Sequence, residues 1–228
     1  MVKGMKNPDR ELVKTSTILI YCSIILTVFV YYGSAEFYQR IFTGGDELKS
    51  QYYYFLSSFV WLGIVPLLIW KLGFGSSLRE MGLSFGNTKQ TLVFSAIGLP
   101  VIIIMAYFTA QNPAFRAEYP LFRGLLDNHH LGLGYWLMYA LYYIGWEFFF
   151  RGFMLFGLKN KFGETSSILI QTIPSCLVHI GKPDAEIFSS IFAGIIFGYV
   201  ALRCRSLWPV FIWHLALGVV LDIFIVFG

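Results

Sequence analysis

An acidic and a basic residue lie inside the apolar stretch GWEFFFRGFML at positions 145–155. Glu147 and Arg151 are four residues apart, so on a helix they share one face and can form an ion pair. An ionised group in the hydrocarbon of a bilayer costs about 2.5–3.5 kcal/mol on insertion scales, so ionisable residues retained there usually serve a function. This pair is therefore the first candidate for chemistry.

Two later apolar stretches each contain a histidine, His179 and His214, and Asp222 follows His214 by eight residues. On a helix, eight residues bring Asp222 to within about 40° of His214 around the axis. A buried carboxylate can act as a general base on water, and a neighbouring imidazole can share that task. A second imidazole can donate a hydrogen bond to the oxyanion that forms when water adds to a peptide carbonyl.

These roles can be assigned to particular residues. We expect Glu147 and His179 to activate the water and His214 to donate to the oxyanion. Arg151 would hold Glu147 in place, and Asp222 would lie behind these catalytic side chains and support their positions. The set predicts hydrolysis of a peptide bond in a polar cavity that is shielded from lipid.

The composition indicates a bilayer as the solvent for these residues. The 228 residues are 57% hydrophobic and 13% charged, with a mean hydropathy of +0.64, which is outside the range of most soluble domains. A membrane-spanning helix needs roughly 20 apolar residues. Seven segments fit, at about 15–35, 52–72, 90–110, 131–158, 164–180, 186–202 and 207–227.

The expected fold class is thus an all-α, polytopic membrane helical bundle with seven to eight transmembrane helices. The eighth would be a re-entrant piece in the 111–130 connection. We expect residues 1–228 to form a single membrane domain.

Basic residues are concentrated in alternate connections between the predicted spans. They are Lys3, Lys6, Arg10 and Lys14 before the first, Lys71, Arg79 and Lys89 after the second, Lys159 and Lys161 after the fourth, and Arg203 and Arg205 after the sixth. By the positive-inside rule the N-terminus is cytoplasmic and the protein is a multi-pass component of the plasma (inner) membrane. The net charge of +4 is then a topology signal, so the expected partners are the lipid bilayer and a peptide or protein substrate, with no nucleic acid.

The order of these motifs resembles the CPBP family of CAAX proteases and bacteriocin-processing enzymes, also called the ABI family, which includes the Ras-converting CAAX endopeptidase. The resemblance covers about residues 75–225 and includes LREMGL at 78–83, Glu147–Arg151 with GF after it, and the run from His179 to His214. It implies an intramembrane endopeptidase that acts on a membrane-associated or lipidated protein or peptide. In the family, the first glutamate and first histidine activate water, and the second histidine and an asparagine stabilise the oxyanion.

Three positions depart from the family's pattern. Trp146 stands where the family motif Glu-Glu-xxx-Arg has its first glutamate, Ser175 where the family has a phenylalanine, and Gly218 where it has the asparagine. An indole cannot accept a proton, so the family's mechanism cannot apply unchanged.

Three explanations for the missing glutamate stay open. Glu147 acts as the base itself, or a different carboxylate, Glu186 or Asp222, has taken over that role. Alternatively, the chain is a catalytically inactive membrane scaffold or immunity protein. A bound metal is a separate question: we predict none, with zinc held by Glu147, His179 and His214 as the alternative. The sequence has no HExxH motif, so its signal for zinc is weak.

Overall fold

The computed structural model describes residues 7–42, 46–75 and 77–228, and the regular elements in these ranges are helices. The predicted all-α fold class is confirmed. Lys3 and Lys6, which contribute to the predicted basic N-terminus, lie outside the described residues.

The helices of the described ranges follow one another along the chain with short connections. The α-helices are α1 (Asn7–Tyr32), α2 (Ala35–Ile41), α3 (Glu47–Ser58), α4 (Val65–Leu68), α5 (Thr88–Thr109), α6 (Pro113–Glu118), α7 (Gly132–Glu147), α8 (Phe156–Leu177), α9 (Asp184–Cys204) and α10 (Trp208–Phe227). The π-helical stretches are Phe59–Ile64, Ile69–Phe74 and Phe148–Leu155. The 3₁₀ turns are Leu78–Met81, Arg123–Leu126 and His129–Leu131.

Five helices in the described part of the chain are long and apolar enough to cross a membrane. They are Pro8–Tyr32, Glu47–Phe74, Thr88–Thr109, Asp184–Cys204 and Trp208–Phe227. They coincide with the first, second, third, sixth and seventh predicted spans. The 111–130 connection, where an eighth span was considered, contains the six-residue α6 and two 3₁₀ turns.

The fourth and fifth predicted spans form one bent helical run. From Gly132 the chain continues through α7, the π-helical stretch and α8 to Leu177, with a break at Gly163. Gly163 has φ 77° and ψ 169°, a conformation that glycine adopts without the steric cost of a side chain. The break turns the chain back into the bundle, where its end brings His179 towards α7.

Small residues let the helices that hold the candidate site approach each other closely. A β-carbon at Gly145 of α7 would overlap the backbone of Ser58 at the end of α3. A β-carbon at Gly98 of α5 would likewise overlap the ring of Trp213 on α10. Such contacts are typical of helix packing in membranes, where close backbone approach replaces the hydrophobic driving force. They hold α7 against the end of α3 and α10 against α5.

Candidate active site

Glu147 and Arg151 form a buried ion pair at the end of α7. Arg151 Nη1 donates to Glu147 Oε1 over 3.3 Å, and Arg151 Nε lies 3.3 Å from Oε2. The side chains are 0% and 2% exposed for Glu147 and Arg151 respectively. Arg151 lies in the π-helical stretch, a local geometry that is frequent at functional sites.

His214 of α10 makes the second contact to the same carboxylate. Its Nδ1 donates to Glu147 Oε1 over 2.5 Å, which joins residues 67 positions apart in the chain. Because a carboxylate only accepts, the proton of this bond is carried by the histidine nitrogen, and Nε2 is the ring nitrogen left over. Glu147 therefore connects the fourth predicted span to the last one.

His179 lies in the turn after α8 and bonds within its own turn. Its Nδ1 donates to the carbonyl oxygen of Ser175 over 2.6 Å. The expected partner of Glu147 was His179, whereas the structure pairs Glu147 with His214. The reason is that the Ser175 carbonyl takes the Nδ1 proton of His179, so that only its Nε2 is left for another partner.

Trp146 lies beside both histidines. Its ring centroid is 5.4 Å from that of His179 and 6.4 Å from that of His214, and the rings are nearly perpendicular in both cases. The indole is buried, and its Nε1 has no hydrogen-bond partner among the described residues. Trp146, which stands at the position of the family's first glutamate, thus forms an apolar wall against both histidines.

A cavity of about 120 Å³ opens between α7, α9 and α10, which is room for several water molecules. Its polar or aromatic lining includes Tyr143, Trp146, Ser175, His179, Glu186 and His214. Glu147 is completely buried and contacts His214 from behind, so its charge reaches the cavity through the histidine. Both predicted histidines therefore share one cavity with Glu186.

Polar contacts close one side of this cavity. The Tyr119 hydroxyl, just after α6, donates to Glu186 Oε1 over 2.8 Å, and Lys182 Nζ lies 2.5 Å from Glu118 Oε1. Burial disfavours the charged amine, but the nearby Tyr54 hydroxyl and the Glu118 carboxylate outweigh it and raise the pKa of Lys182 above its ordinary value. Lys182 therefore stays charged and holds α6 against the turn that precedes α9.

Asp222 is buried two turns beyond His214 on α10. Its Oδ2 accepts a hydrogen bond from Trp136 Nε1 over 3.3 Å, and its Oδ1 has no partner among the described residues. The contact directs Asp222 towards the first half of α7. It is thus separated from the Glu147 contacts.

Tyr143 and Tyr119 were absent from the sequence-based set. Tyr143 packs against His214 with ring centroids 4.4 Å apart and the rings tilted by 44°. Tyr143 precedes Glu147 by four residues, which places both on the same helix face, and this spacing is the signal that could have identified it. Tyr119 has no such signal, because its contact to Glu186 joins distant parts of the chain.

The alternative of a zinc site requires three or more ligands close together. Within 7–42, 46–75 and 77–228, no group of three or more His, Cys, Asp and Glu side chains is placed to hold a metal ion. Glu147, His179 and His214 are not assembled as one ligand set in this structure.

Residues 128–220 match the family model described as Type II CAAX prenyl endopeptidase Rce1-like. This segment is Rce1-like. The match confirms the resemblance expected from the sequence, and the Rce1-like segment contains Glu147, Arg151, His179 and His214. Asp222 lies two residues beyond its end. Searches of curated proteins and of solved structures each gave no significant match.

The Rce1-like segment implies a membrane protease. Together with the five long apolar helices, the match supports a multi-pass membrane protein.

The buried pair generates a prediction about stability. Glu147→Gln leaves Arg151 as an uncompensated buried charge, so we expect it to lower the free energy of unfolding by about 3–5 kcal/mol. Arg151→Met removes that charge, so the double variant should be less destabilised than the sum of the two single variants by at least about 1 kcal/mol. Thermal unfolding in detergent measures all four proteins.

The matched control is Lys161→Gln, which removes an exposed charge from the same helical run. We expect it to change stability by no more than about 0.5 kcal/mol. Strictly additive effects of the Glu147 and Arg151 substitutions would show that the two side chains do not interact.

Proposed function

We propose that this protein is an intramembrane endopeptidase that hydrolyses a peptide bond of a membrane-associated or lipidated protein or peptide. A water activated by histidine and glutamate would be the nucleophile. The observation that carries this proposal is the Glu147–His214 hydrogen bond at the wall of a cavity that also contains His179. The basic residues of alternate connections support a cytoplasmic N-terminus in the plasma membrane.

Water activation is assigned to His214 with Glu147 behind it. Glu147 accepts the Nδ1 proton, which fixes the tautomer so that Nε2 is the proton acceptor, as in carboxylate–histidine pairs of hydrolases. Arg151 balances the charge of Glu147 and holds its position. His179, whose Nδ1 is also occupied, offers its Nε2 to the second hydrogen of the same water.

The proton balance of the reaction is then complete. As the water oxygen bonds to the peptide carbonyl carbon, its proton moves to His214 Nε2, and Glu147 stabilises the imidazolium that forms. When the carbon–nitrogen bond breaks, the imidazolium gives this proton to the leaving amine. The products are a carboxylic acid and an amine, and the histidine returns to its neutral form.

The oxyanion donor follows from the departure at Gly218. A β-carbon at position 218 would overlap the Tyr143 hydroxyl, so this hydroxyl fills the space of the side chain that the family pattern has there. Tyr143 lines the cavity next to His214. We therefore assign the Tyr143 hydroxyl to the role that the resemblance gives to the asparagine.

The arrangement also accounts for Trp146. If Glu147 acts through His214, no carboxylate is needed at position 146, and the indole instead excludes water from one side of both histidines. Glu186 is the remaining carboxylate on the cavity wall, and its Oε2 has no partner among the described residues. A test of the proposal therefore needs a Glu186 variant as well.

The proposed activity is tested by comparing the termini of membrane peptides by mass spectrometry in cells that express each variant at equal abundance. One set of cleaved termini should disappear in Glu147→Gln, His179→Ala and His214→Ala. It should persist in His130→Ala, an exposed histidine away from the cavity. Loss of the termini only in Glu186→Gln would instead assign the base to Glu186.

The same comparison addresses the alternative of an inactive scaffold, which the tryptophan at position 146 favours. If every variant is folded and the termini are the same in all of them, the protein is not a peptidase. Any termini that are present with the wild-type protein and absent with the variants identify the substrate.

A second prediction concerns the oxyanion. Tyr143→Phe should lower kcat by about 10²- to 10³-fold with little change in KM, because the hydroxyl donates mainly in the transition state. Initial rates of the purified protein on the substrate identified above measure this effect. Tyr135→Phe is the matched control, since Tyr135 is a buried tyrosine of the same helix that does not line the cavity. A Tyr143→Phe rate within twofold of wild type would remove Tyr143 from the mechanism.

A further inference from the structure

A second, polar pocket lies at the opposite end of α9 from the candidate active site. Its volume is about 650 Å³, and four cationic side chains line it: Arg79, Lys159, Arg203 and Arg205. Glu186 lies in the first turn of α9 and Arg203 in its last, so about 25 Å of helix separates these two residues. We call the second site the basic pocket.

The four cations come from separate parts of the chain. Arg79 lies in the 3₁₀ turn Leu78–Met81, Lys159 on α8, Arg203 on α9 and Arg205 in the turn before α10. The positive-inside rule requires cations on this side of the membrane but does not require them to meet. Lys71 and Lys161 are on the same predicted side and do not line the pocket. The convergence is therefore a property of the fold.

The cations are not neutralised by ion pairs within the described residues. Arg203 donates from Nε to the Tyr199 hydroxyl over 3.1 Å, and the Lys159 amine lies over the Phe156 ring. Two carboxylates also line the pocket, Glu164 and Glu80, and Glu80 accepts hydrogen bonds from the backbone and hydroxyl of Ser77, so four cations face two anions. The basic pocket thus has an excess of positive charge.

Neutral donors complete the lining. Asn87 caps α5 by accepting from Gln90 N, which leaves its amide NH₂ group for another partner. The Gln90 amide and the Ser84 hydroxyl line the same space. Guanidinium groups combined with neutral donors are suited to a phosphate group, which presents several acceptor oxygens.

The surroundings indicate that the phosphate belongs to a lipid. Candidate spans α5 and α10 begin at the basic pocket and α9 ends there, so it lies where lipid headgroups are found. Phe85, which is 65% exposed, stacks on Trp208 as an interfacial aromatic pair. Farther along α5, Leu92 and Ile97 are each 64% exposed and form an apolar surface beyond the pocket.

We propose that the basic pocket binds the phosphate group of an anionic phospholipid in the cytoplasmic leaflet, with its acyl chains along the exposed apolar face of α5. Arg203 and Arg205 would contact the phosphate directly. Clustered cations between membrane helices on this side of the bilayer are typical of such sites. The inference does not depend on the proposed peptidase activity.

Native mass spectrometry of the purified full chain in detergent tests the proposal. Phosphatidylglycerol should be retained in preference to phosphatidylcholine, and Arg203→Gln/Arg205→Gln should lower phosphatidylglycerol retention roughly tenfold or more. Lys71→Gln/Lys161→Gln removes the same charge from the same side without touching the pocket and should retain the lipid as wild type does. If the first variant does not fold, Arg79→Gln/Lys159→Gln replaces it, with the same expected loss.

Two results would overturn the proposal. Equal loss of phosphatidylglycerol in the control variant would mean that lipid retention depends on the total positive charge of this side of the protein and not on the pocket. The second result is that millimolar inorganic phosphate protects the protein against heat as well as phosphatidylglycerol does, and that the pocket variant loses this protection. The ligand would then be free phosphate.

Discussion

The buried Glu147 carboxylate is the interaction on which the candidate site depends. Removing a carboxylate from water is costly, and it is tolerated here because Arg151 and His214 both contact it. Those contacts require α7 and α10 to meet at a fixed distance, which the close approach of Gly218 on α10 to the Tyr143 hydroxyl on α7 allows. The electrostatic demand and the helix packing therefore support the same geometry.

The sequence predicted what depends on local spacing and composition. The apolar segments gave the spans, and the i, i+4 spacing placed Glu147 and Arg151 on one helix face. The partner of Glu147 could not be chosen in this way, because His179 and His214 are both distant in the chain. The choice depends on a local contact, the bond from His179 to the Ser175 carbonyl, and on the break at Gly163 that returns the chain to the bundle.

The departures from the family pattern are related to each other in space. Gly218 leaves room for the Tyr143 hydroxyl, and Trp146 packs against both histidines next to the Glu147–His214 hydrogen bond. At positions 146 and 218 the family's polar side chain is absent, and an indole ring or the Tyr143 hydroxyl occupies that space, whereas Ser175 in place of a phenylalanine adds a polar group. The Rce1-like segment thus retains a polar, histidine-lined cavity with different residues around it.

The most direct measurement is hydrolysis by the purified protein in liposomes, supplied with membrane-anchored peptides in H₂¹⁸O. We expect new C-terminal carboxylates that carry one ¹⁸O atom from water, and their absence when His214→Ala protein is used. If wild-type protein forms no labelled carboxylates, or if His214→Ala protein forms as many, the carboxylate–histidine pair does not activate water.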